Sequence, residues 1–382
     1  MTDRERFNAT MHYRPVDRCP ICDFGFWDET IPEWHKQGLP TRVEWRQDAE
    51  VYTDAWFGMD CYDAGPKLEV GLVPAFEFKV LEDLGDHEVV QQDNGVRVLR
   101  KKYMGSIPNP VRHLLGDRDA WRIHYKPRLD PSRAERYPAD WEALVKTWKD
   151  PARHQPLGLW GGSLFGWLRD WMGLENVAVL PYDDPGWFEE MVTTLADCTV
   201  AVLQRALETG AKFDFCNMWE DMCYSRGPLL NPIHFRQFLV PNYRRITDLL
   251  HKYGVDVVWI DCDGKIDVLI PLWLDAGVNC MFPLEVGTWN GDPVRYRKEF
   301  GQDLLMMGGF DKHILQGPVE GIRDEVCRLL PLVEEGGYIP LPDHRVPPDV
   351  PYSNYLFYLR EARKVWGRNL HLKPAPALEE TE

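Results

Sequence analysis

Residues 255–285, VDVVWIDCDGKIDVLIPLWLDAGVNCMFPLE, carry the pattern that decides the fold. An apolar run at 255–260 ends in Asp261, and a second apolar run at 278–284 ends in Glu285. Short runs that are nearly continuous in apolar residues predict strands buried on both faces, and the amphipathic stretch between them predicts a covering helix that begins near Ile266. The stretch therefore predicts one strand-helix-strand unit of a parallel sheet.

The same alternation continues over the chain from about residue 157. Asp184 and Asn231 each precede a proline, which is the pattern of a helix N-cap followed by proline at the first helical position. We expect a kink at Pro241, and a further helix that opens at Pro318 and ends at Gly336-Gly337. The other predicted strands are Leu157–Trp160, Phe213–Met218, Leu304–Met307 and Gly337–Ile339.

Both an open doubly wound sheet and a closed (β/α)8 TIM barrel satisfy this pattern. No glycine-rich phosphate loop of the GxGxxG or GxxxxGK[ST] type follows any predicted strand, which weakens the open nucleotide-binding alternative. The predicted fold class is therefore α/β, a (β/α)8 TIM barrel with an N-terminal hairpin-bearing extension.

The first 150 residues show no strand-helix rhythm. Residues 87–103, HEVVQQDNGVRVLRKKY, are two alternating runs joined at Asp-Asn-Gly, the strongest short signal of a β-hairpin. We also expect a short helix at 4–11 and a strand at 18–26. The predicted organisation is one barrel domain over residues 1–370, with about residues 70–150 as its hairpin-bearing cover, and a disordered tail at 371–382.

Charge and composition exclude several classes of function. The 382 residues carry 44 Lys plus Arg against 60 Asp plus Glu, a formal charge of −16, so nucleic acid and anionic membranes would be repelled. No apolar run approaches the roughly 18 residues of a spanning helix, and the charged start MTDRERFNAT does not resemble a secretory signal, which predicts a cytoplasmic protein. We interpret the nine scattered cysteines as reduced thiols, since Cys19 and Cys22 have no second CxxC to complete a zinc site.

Acidic residues, histidine and tryptophan gather where predicted strands end. In a (β/α)8 barrel these ends open on the one face that carries the active site, so we expect a common pocket. Helix capping explains Asp261 or Asp263 equally well, and core packing explains the tryptophans. The predicted catalytic residues are Glu220, Asp261, Asp263 and His344; the predicted substrate-binding residues are Trp160, Trp219, Trp259, Glu285 and Asp311.

The oxygen, oxygen and nitrogen donors of Asp261, Asp263 and His344 are compatible with a divalent metal, either zinc or a harder cation. Like charges in a partly closed pocket also raise carboxyl pKa values, so a general acid is the alternative to a metal. Tryptophan rings that face the pocket would suit an aromatic ligand.

Several stretches resemble the uroporphyrinogen decarboxylase superfamily, which includes the cobamide-dependent methyltransferases. The resemblance implies a (β/α)8 barrel with its pocket at the carboxyl ends of the strands. The resembling stretches are RERFNATMHYRPVDRCPI (4–21), WEDMCYSRGPLLNPIHFRQFLVPNYRRI (219–246), DCDGKIDVLIPLWLDAGVNCMFPLEV (261–286), GGFDKHIL (308–315) and GGYIPLPDHRVPPDVPYSNY (336–355).

The positions at which this chain differs from the motifs of each branch indicate where it belongs within the superfamily. Decarboxylases hold the substrate's propionates with an N-terminal Arg-Gln-Ala-Gly-Arg segment, where this chain has DFGFWDETIPEW (23–34), although His344 falls where they have a histidine. Zinc methyltransferases carry His-x-Cys-Gly and a later Cys; here Asp261 matches the His, Asp263 the first Cys and His344 the later Cys, while Gly264 is kept. The soft thiolate ligands are gone, which argues against thiol activation.

We therefore expect an enzyme: a cobamide-dependent methyltransferase that demethylates a small compound, aromatic if the tryptophans face the pocket, with a corrinoid carried by a partner protein as methyl acceptor. One alternative is a decarboxylase (carboxy-lyase) of a tetrapyrrole or other carboxylated substrate, in which an acid protonates carbon after carbon dioxide leaves. The other is a non-catalytic ligand-binding barrel. The sequence leaves a homodimer open.

Overall fold

We describe the protein from a computed structural model, which describes residues 1–46, 48–60, 65–66, 68–102 and 108–367. The chain divides into two compact units, and each is described by itself. The central unit comprises the described residues of Ala64–Arg153 and Leu157–Asn279. The terminal unit comprises those of Met1–Asp63, His154–Pro156 and Cys280–Glu382. The predicted tail at 371–382 lies outside the described residues.

The secondary structure is given in chain order. The strands are β1 (Val43–Glu44), β2 (Val51–Tyr52), β3 (Lys79–Asp83), β4 (His87–Gln91), β5 (Arg97–Lys101), β6 (Asn109–Arg112), β7 (Gly158–Trp160), β8 (Phe215–Trp219), β9 (Cys223–Tyr224), β10 (Gly227–Pro228), β11 (Val258–Asp261), β12 (Cys280–Leu284), β13 (Leu305–Phe310) and β14 (Tyr338–Pro342). The helices are α1 (Asp3–Met11), α2 (Thr30–His35), α3 (Thr53–Phe57), α4 (Arg118–Ala120), α5 (Trp141–Trp148), α6 (Gly166–Met172), α7 (Leu174–Asp183), α8 (Pro185–Leu207), α9 (Pro232–His234), α10 (Val240–Lys252), α11 (Ile270–Asp275), α12 (Pro293–Phe300), α13 (Val319–Glu335) and α14 (Tyr352–Trp366).

The central unit contains the parallel strands β7, β8 and β11, all three predicted. Trp160 and Trp259 both lie opposite Asn217, and Asp261 lies opposite Trp219, so the carboxyl ends of the strands are level. Gly158 is required at the start of β7, because a Cβ there would lie 2.1 Å from the Phe215 ring. The even register brings the polar residues after β8 and β11 to the same edge of the sheet.

The predicted helix starts of the central unit are confirmed. Asp184 accepts a hydrogen bond from the backbone N–H of Trp187 (3.1 Å) and caps α8. Asn231 does the same for Ile233 (2.9 Å) at α9. The predicted disturbance at Pro241 takes the form of a π-helical turn, Phe235–Leu239, directly before α10, since proline lacks the N–H that a regular turn needs.

The hairpin is also confirmed. Strands β4 and β5 are antiparallel with Gln91 opposite Arg97, and Gly95 adopts a φ of +83°, which favours glycine. Strands β3 and β6 flank the pair in a four-stranded antiparallel sheet whose buried face contains Val90, Val96 and Val98.

In the terminal unit β12, β13 and β14 are parallel, with Cys280 opposite Leu305 and Phe310 opposite Pro342. The helix predicted at 4–11 is α1, and the helix predicted from Pro318 is α13. The strand predicted at 18–26 is wrong: apart from a single bridge between Phe26 and Val346, this segment forms no strand. In the central unit, the helix predicted near Ile266 begins only at Ile270.

Asp60 explains why the segment at 18–26 is not a strand. Its carboxylate accepts hydrogen bonds from the guanidinium groups of Arg6 (2.7 Å) and Arg18 (2.6 and 2.8 Å) and from the backbone N–H of Ile21 (2.7 Å). Ile21 thus bonds a side chain instead of a neighbouring strand. Burial alone would raise the pKa of Asp60, but the hydrogen bonds and charges of Arg18 and Arg6 hold it below its ordinary value.

None of the described helices is both long enough and apolar enough to cross a membrane. Eight of the nine cysteines lie in the described part of the chain, and these eight form no disulfide.

We predict that Asp60→Ala lowers the free energy of unfolding by about 3–5 kcal/mol, because the substitution removes the counter-charge of Arg18 and the acceptor of the Ile21 N–H, while Arg6 keeps Asp3 and Asp17. The difference in the free energy of unfolding between the variant and wild type should shrink as the pH falls below about 4. A carboxyl group with a depressed pKa stabilises the fold only while it is ionised, and it becomes protonated as the pH falls. Urea denaturation measures both effects. The matched control is Asp48→Ala, whose side chain is 81% exposed and lies 3.8 Å from Arg46. An equal loss in the two variants would contradict the assignment.

Candidate functional site

Three carboxylates come together at the carboxyl edge of β8 and β11. Oxygen atoms of Asp221, Asp261 and Asp263 all lie within 4.8 Å of one another. Asp261 is the last residue of β11, and Asp221 follows β8 with a φ of +41°, an uncommon value for a residue other than glycine. The backbone N–H of Asp263 donates to Asp221 Oδ1 (3.3 Å). We call these three residues the carboxylate cluster.

The cluster changes the acidity of Asp221. Burial raises the pKa of this carboxyl, and the nearby negative charge of Asp263 raises it further. A carboxyl that keeps its proton at higher pH than usual can donate that proton to a leaving atom. Asp221 is therefore the general-acid candidate in the cluster.

The ends of the apolar runs predict Asp261 and Asp263 as site residues, but Asp221 was not among the predicted residues. Side chains alternate along a strand, and from Asn217 to Asp221 the half-buried positions are 217, 219 and 221, with fully buried residues between them. This alternation, applied beyond Trp219, would have selected Asp221 in preference to Glu220.

Glu220 has a structural role in place of the predicted catalytic one. Its carboxylate is inaccessible to solvent and accepts five hydrogen bonds. Oε2 accepts from Ser163 Oγ and from the backbone N–H groups of Phe165 and Gly166, and Oε1 accepts from the backbone N–H of Leu164 and from Tyr243 OH, at 2.6–2.9 Å. These contacts bind the loop after β7 to the end of β8, so we leave Glu220 out of the reacting groups.

The three predicted tryptophans differ in their surroundings. Trp259 is 8% exposed and stacks on Phe215 with ring centroids 4.1 Å apart, which favours core packing over ligand binding. Trp160 is half-buried at the end of β7. Trp219 is half-buried, its side chain hydrogen-bonds Asp221, and the Arg169 guanidinium lies 5.1 Å from its ring centroid. Trp219 thus directly contacts the carboxylate cluster.

A cavity of about 290 Å³ opens beside Trp219, which we call the tryptophan cavity. Its lining combines three tryptophans with acidic residues and with the turn of the β4–β5 hairpin. The lining residues are Glu69, Gly71, Leu72, Ala75, Asp93, Asn94, Trp167, Asp170, Trp171 and Trp219. The hairpin turn therefore lies at the carboxyl end of β8, the position expected of a cover. The sequence pattern does not indicate the lining residues of α6, Trp167, Asp170 and Trp171, because no predicted strand ends in them.

The other predicted residues lie in the terminal unit. His344 stacks on Trp27 (5.5 Å between centroids) and meets the edge of Phe24 (5.3 Å). Asp311 caps the turn that follows β13, accepting from the backbone N–H of His313 (2.9 Å) and lying 2.8 Å from its Nδ1. The Glu285 carboxylate accepts from Trp289 Nε1 and lies 3.8 Å from Lys312 Nζ.

Asp343 at the end of β14 repeats the arrangement of Glu220. Its inaccessible carboxylate accepts from the backbone N–H groups of Val286 (2.9 Å), Gly287 (3.0 Å) and Lys312 (3.0 Å). It thereby binds the loops after β12 and β13 together. The meeting of His344 with Asp261 and Asp263, which joins residues of different units, stays a prediction.

The ligand atoms of the carboxylate cluster differ from those of the zinc site that the resemblance implies. A thiol-activating zinc site needs sulfur or imidazole ligands, whereas the carboxylate cluster offers only oxygen. Cys262, between two of its members, is fully buried and accepts from the backbone N–H of Met222 (3.3 Å). The cluster therefore does not fit zinc-thiolate chemistry, and three carboxylates suit a hard divalent cation such as magnesium.

A second cavity, of about 180 Å³, lies in the terminal unit. It is lined by Cys22, Asp23, Phe24, Gly25, Trp45, Tyr52, Asp54, Met59 and Asp60. Burial, followed by the charge of Asp23, raises the pKa of Asp54 to about 7. Tyr355 OH donates to the Asp23 carboxylate. The described lining residues include no lysine or arginine, so this cavity offers no cation that could bind the propionates of a tetrapyrrole.

Comparisons with known proteins identify the family and the fold of the chain. Residues 162–365, more than half of the chain, match the family described as uroporphyrinogen decarboxylase (URO-D). The chain is 22% identical over 183 residues to a uroporphyrinogen decarboxylase of Hydrogenovibrio crunogenus; this region is 46% of the chain and spans only about half (48%) of the relative's length. A solved methyltransferase from Methanosarcina mazei matches with a TM-score of 0.58 and 14% identity, over 95% of this chain and 99% of the other. The predicted fold class, the (β/α)8 barrel, is thereby confirmed.

We predict that Asp263→Asn leaves the free energy of unfolding unchanged or raises it, because it keeps the side-chain shape and removes a negative charge beside Asp221 and Asp261. Glu220→Gln should lower the free energy of unfolding by about 3 kcal/mol. The new NH2 group would face N–H and O–H donors, and it cannot accept hydrogen bonds from them. Chemical denaturation of the two variants provides the comparison. A larger loss for Asp263→Asn than for Glu220→Gln would make Asp263 the structural residue.

We further predict that Asp54→Asn stabilises the protein in a pH-dependent way. The folded-state pKa of about 7 lies above the unfolded value of about 3.9, so wild type loses stability as the pH rises between these values, whereas Asn does not titrate. The melting temperature of the variant relative to wild type should rise from pH 4 to pH 7 and then level off. Asp28→Asn, at an exposed position of the same unit, is the control. A difference that is constant over this pH range would show that Asp54 does not titrate as described.

Proposed function

The chain belongs to the uroporphyrinogen decarboxylase family, and from that premise we propose that it is a methyltransferase that demethylates a small compound and passes the methyl group to a corrinoid carried by a partner protein. The observation that carries the proposal is the carboxylate cluster at the end of β8 and β11, in contact with the tryptophan cavity through Trp219. This places groups that hold charge and protons beside a space for a small ligand.

The charges favour methyl transfer over tetrapyrrole decarboxylation. The family's namesake substrate carries many carboxylates, but the cavity at residues 22–60 and the tryptophan cavity are both acidic. Like charges at close range in a partly buried site repel strongly. A substrate that is neutral or cationic avoids this repulsion.

The residues of this chain would act on the atom that the methyl group leaves. The bond between that atom and the methyl carbon breaks, and its electron pair stays on the heteroatom. A departing oxygen gains negative charge, which a proton from Asp221 neutralises. A departing quaternary nitrogen becomes a neutral amine and needs no proton, so the carboxylates then act on the bound cation by charge alone. A reduced corrinoid supplies the electron pair that takes up the methyl group.

Asp261 and Asp263 have supporting roles in this scheme. After burial, the negative charge of Asp263 raises the pKa of Asp221, which favours the protonated form that can serve the leaving atom, and Asp261 adds a third carboxylate to the cluster. They also exclude anionic ligands from this edge of the sheet. Either carboxylate could bind a hard divalent cation with Asp221, and no step of the proposal depends on such a cation.

We predict that purified protein mixed with a reduced corrinoid protein and methylated ethers, thioethers or amines changes the corrinoid absorption spectrum, which reports methylation directly. With an ether as methyl donor, Asp221→Asn and Asp263→Asn should slow this change about 100-fold or more, the scale of a lost acid-base group, while the melting temperature stays the same or rises. With a quaternary amine, which needs no proton, the loss should be smaller. The matched control is Asp248→Asn, at an exposed position of α10 in the same unit.

Two results would contradict the proposal. One is a spectral change at the wild-type rate in both cluster variants, which would remove the carboxylates from the chemistry. The other is the absence of any change with all three donor classes, together with release of carbon dioxide from a carboxylated substrate, which would identify a decarboxylase.

A further inference from the structure

We propose that the tryptophan cavity binds a methylated ammonium cation, so that the substrate class of this chain is a quaternary or protonated tertiary amine. The role of this cation as methyl donor rests on the proposed function; its binding does not. Three features of the central unit support the assignment: the aromatic walls, the sign of the charge around them, and the connection to the carboxylate cluster.

The aromatic walls have the arrangement that favours a cation. Trp167 and Trp219 are the half-buried indoles of the cavity, whereas Trp171, one turn along α6 from Trp167, is 3% exposed and packs against Trp167 with ring planes 13° from parallel and centroids 5.9 Å apart. The face of an indole ring attracts a cation within about 6 Å, and tryptophan does so more strongly than the other aromatic residues. Cages of several aromatic side chains are the usual binding site of quaternary ammonium groups.

Close backbone contacts hold the Trp167 ring in place. A Cβ at Gly71 would lie 3.4 Å from this ring, and a Cβ at Gly162 would lie 2.6 Å from it. Gly162 also has a φ of +72°, a conformation that other residues rarely adopt. The ring is therefore positioned before a ligand arrives, which lowers the entropic cost of binding.

The charge around the walls is negative. Glu69, Asp93 and Asp170 line the cavity, and the lining residues that the structure describes include no lysine or arginine. Arg169, on α6, pairs with one of these acids: it donates to Asp170 Oδ1 (3.2 and 3.0 Å) and also to the Asp221 carbonyl, so the net negative charge of the lining comes from Glu69 and Asp93. Its guanidinium lies 5.1 Å from the Trp219 centroid, so this indole already takes part in one cation–π contact.

Size and position agree with a small methylated cation. A volume of about 290 Å³ lies at the lower end of the roughly 300–1,000 Å³ of small-molecule pockets, and is suited to one trimethylammonium group with a short chain or ring. Trp219 borders the cavity and hydrogen-bonds Asp221, so a nitrogen held against this indole lies next to the carboxylate cluster.

The leaving group fits the same site. When a methyl group leaves a quaternary nitrogen, the carbon–nitrogen bond breaks and both of its electrons stay on nitrogen, which departs as a neutral tertiary amine. The partner's reduced corrinoid, the co-reactant of the proposed function, provides the electron pair for the transferred methyl group. The product has lost the positive charge that held it against the indoles and carboxylates, so the site favours its release.

The test compares choline with 3,3-dimethylbutan-1-ol, which has the same shape but carries carbon in place of the charged nitrogen. Each is titrated into the full-length protein by calorimetry and by quenching of tryptophan fluorescence. We expect choline to bind roughly tenfold or more tightly than the neutral compound, the scale of a desolvated cation–π contact. Trp167→Leu should remove this preference, whereas Trp141→Leu, at a tryptophan on α5 outside the cavity, should keep it.

A second variant tests the charges without disturbing the core. Glu69 and Asp93 are exposed, so Glu69→Gln combined with Asp93→Asn should fold normally and weaken choline binding severalfold, with the neutral compound unaffected. Equal affinity for the two compounds, or no binding of either at millimolar concentration, would overturn the inference even if methyl transfer from ethers is observed. Selective choline binding without methyl transfer to any corrinoid would support the cavity assignment and reject the proposed function.

Discussion

The loops that follow the parallel strands bring backbone N–H groups into the protein interior, and these groups must be hydrogen-bonded. Buried carboxylates on neighbouring strands accept them. Glu220 binds three consecutive N–H groups of the loop after β7, and Asp343 binds those of Val286, Gly287 and Lys312. An unsatisfied buried N–H costs about 1–3 kcal/mol, so these two side chains determine the shape of the loops after β7, β12 and β13.

This requirement divides the acidic residues at the strand ends into two groups. Glu220 and Asp343 are inaccessible to solvent and use their oxygens for the backbone, whereas Asp221, Asp261 and Asp263 are half-buried and lie against one another. Like charges at such distances destabilise the folded protein. A fold that keeps them together loses stability at this edge of the sheet, which is typical of a site arranged for chemistry.

The excess of acidic residues, a net charge of −16 over the chain, is also found in the lining of two cavities. Acidic side chains line the cavity at residues 22–60 of the terminal unit and the tryptophan cavity of the central unit. In both places the lining is opposite in sign to what a polycarboxylate ligand requires. The family relationship therefore determines the scaffold, while the charges on it favour a different kind of ligand from that of the family's namesake.

The sequence by itself determined the parallel strands, the capped helices and the β4–β5 hairpin, because these depend on local patterns of apolar residues and on turn and cap residues such as Asp184 and Asn94. It also located Asp261 and Asp263, since a strand end is visible as the end of an apolar run. It left Asp221 out and took Glu220 as catalytic, because the strand was judged to end before the alternation of side chains reached Asp221. It read 18–26 as a strand because the competing partner of Ile21, Asp60, lies 39 residues away.

Only the tertiary structure brought Trp167 and Trp171 beside Trp219, because contacts between a helix and a distant strand end leave no periodic signal in the chain.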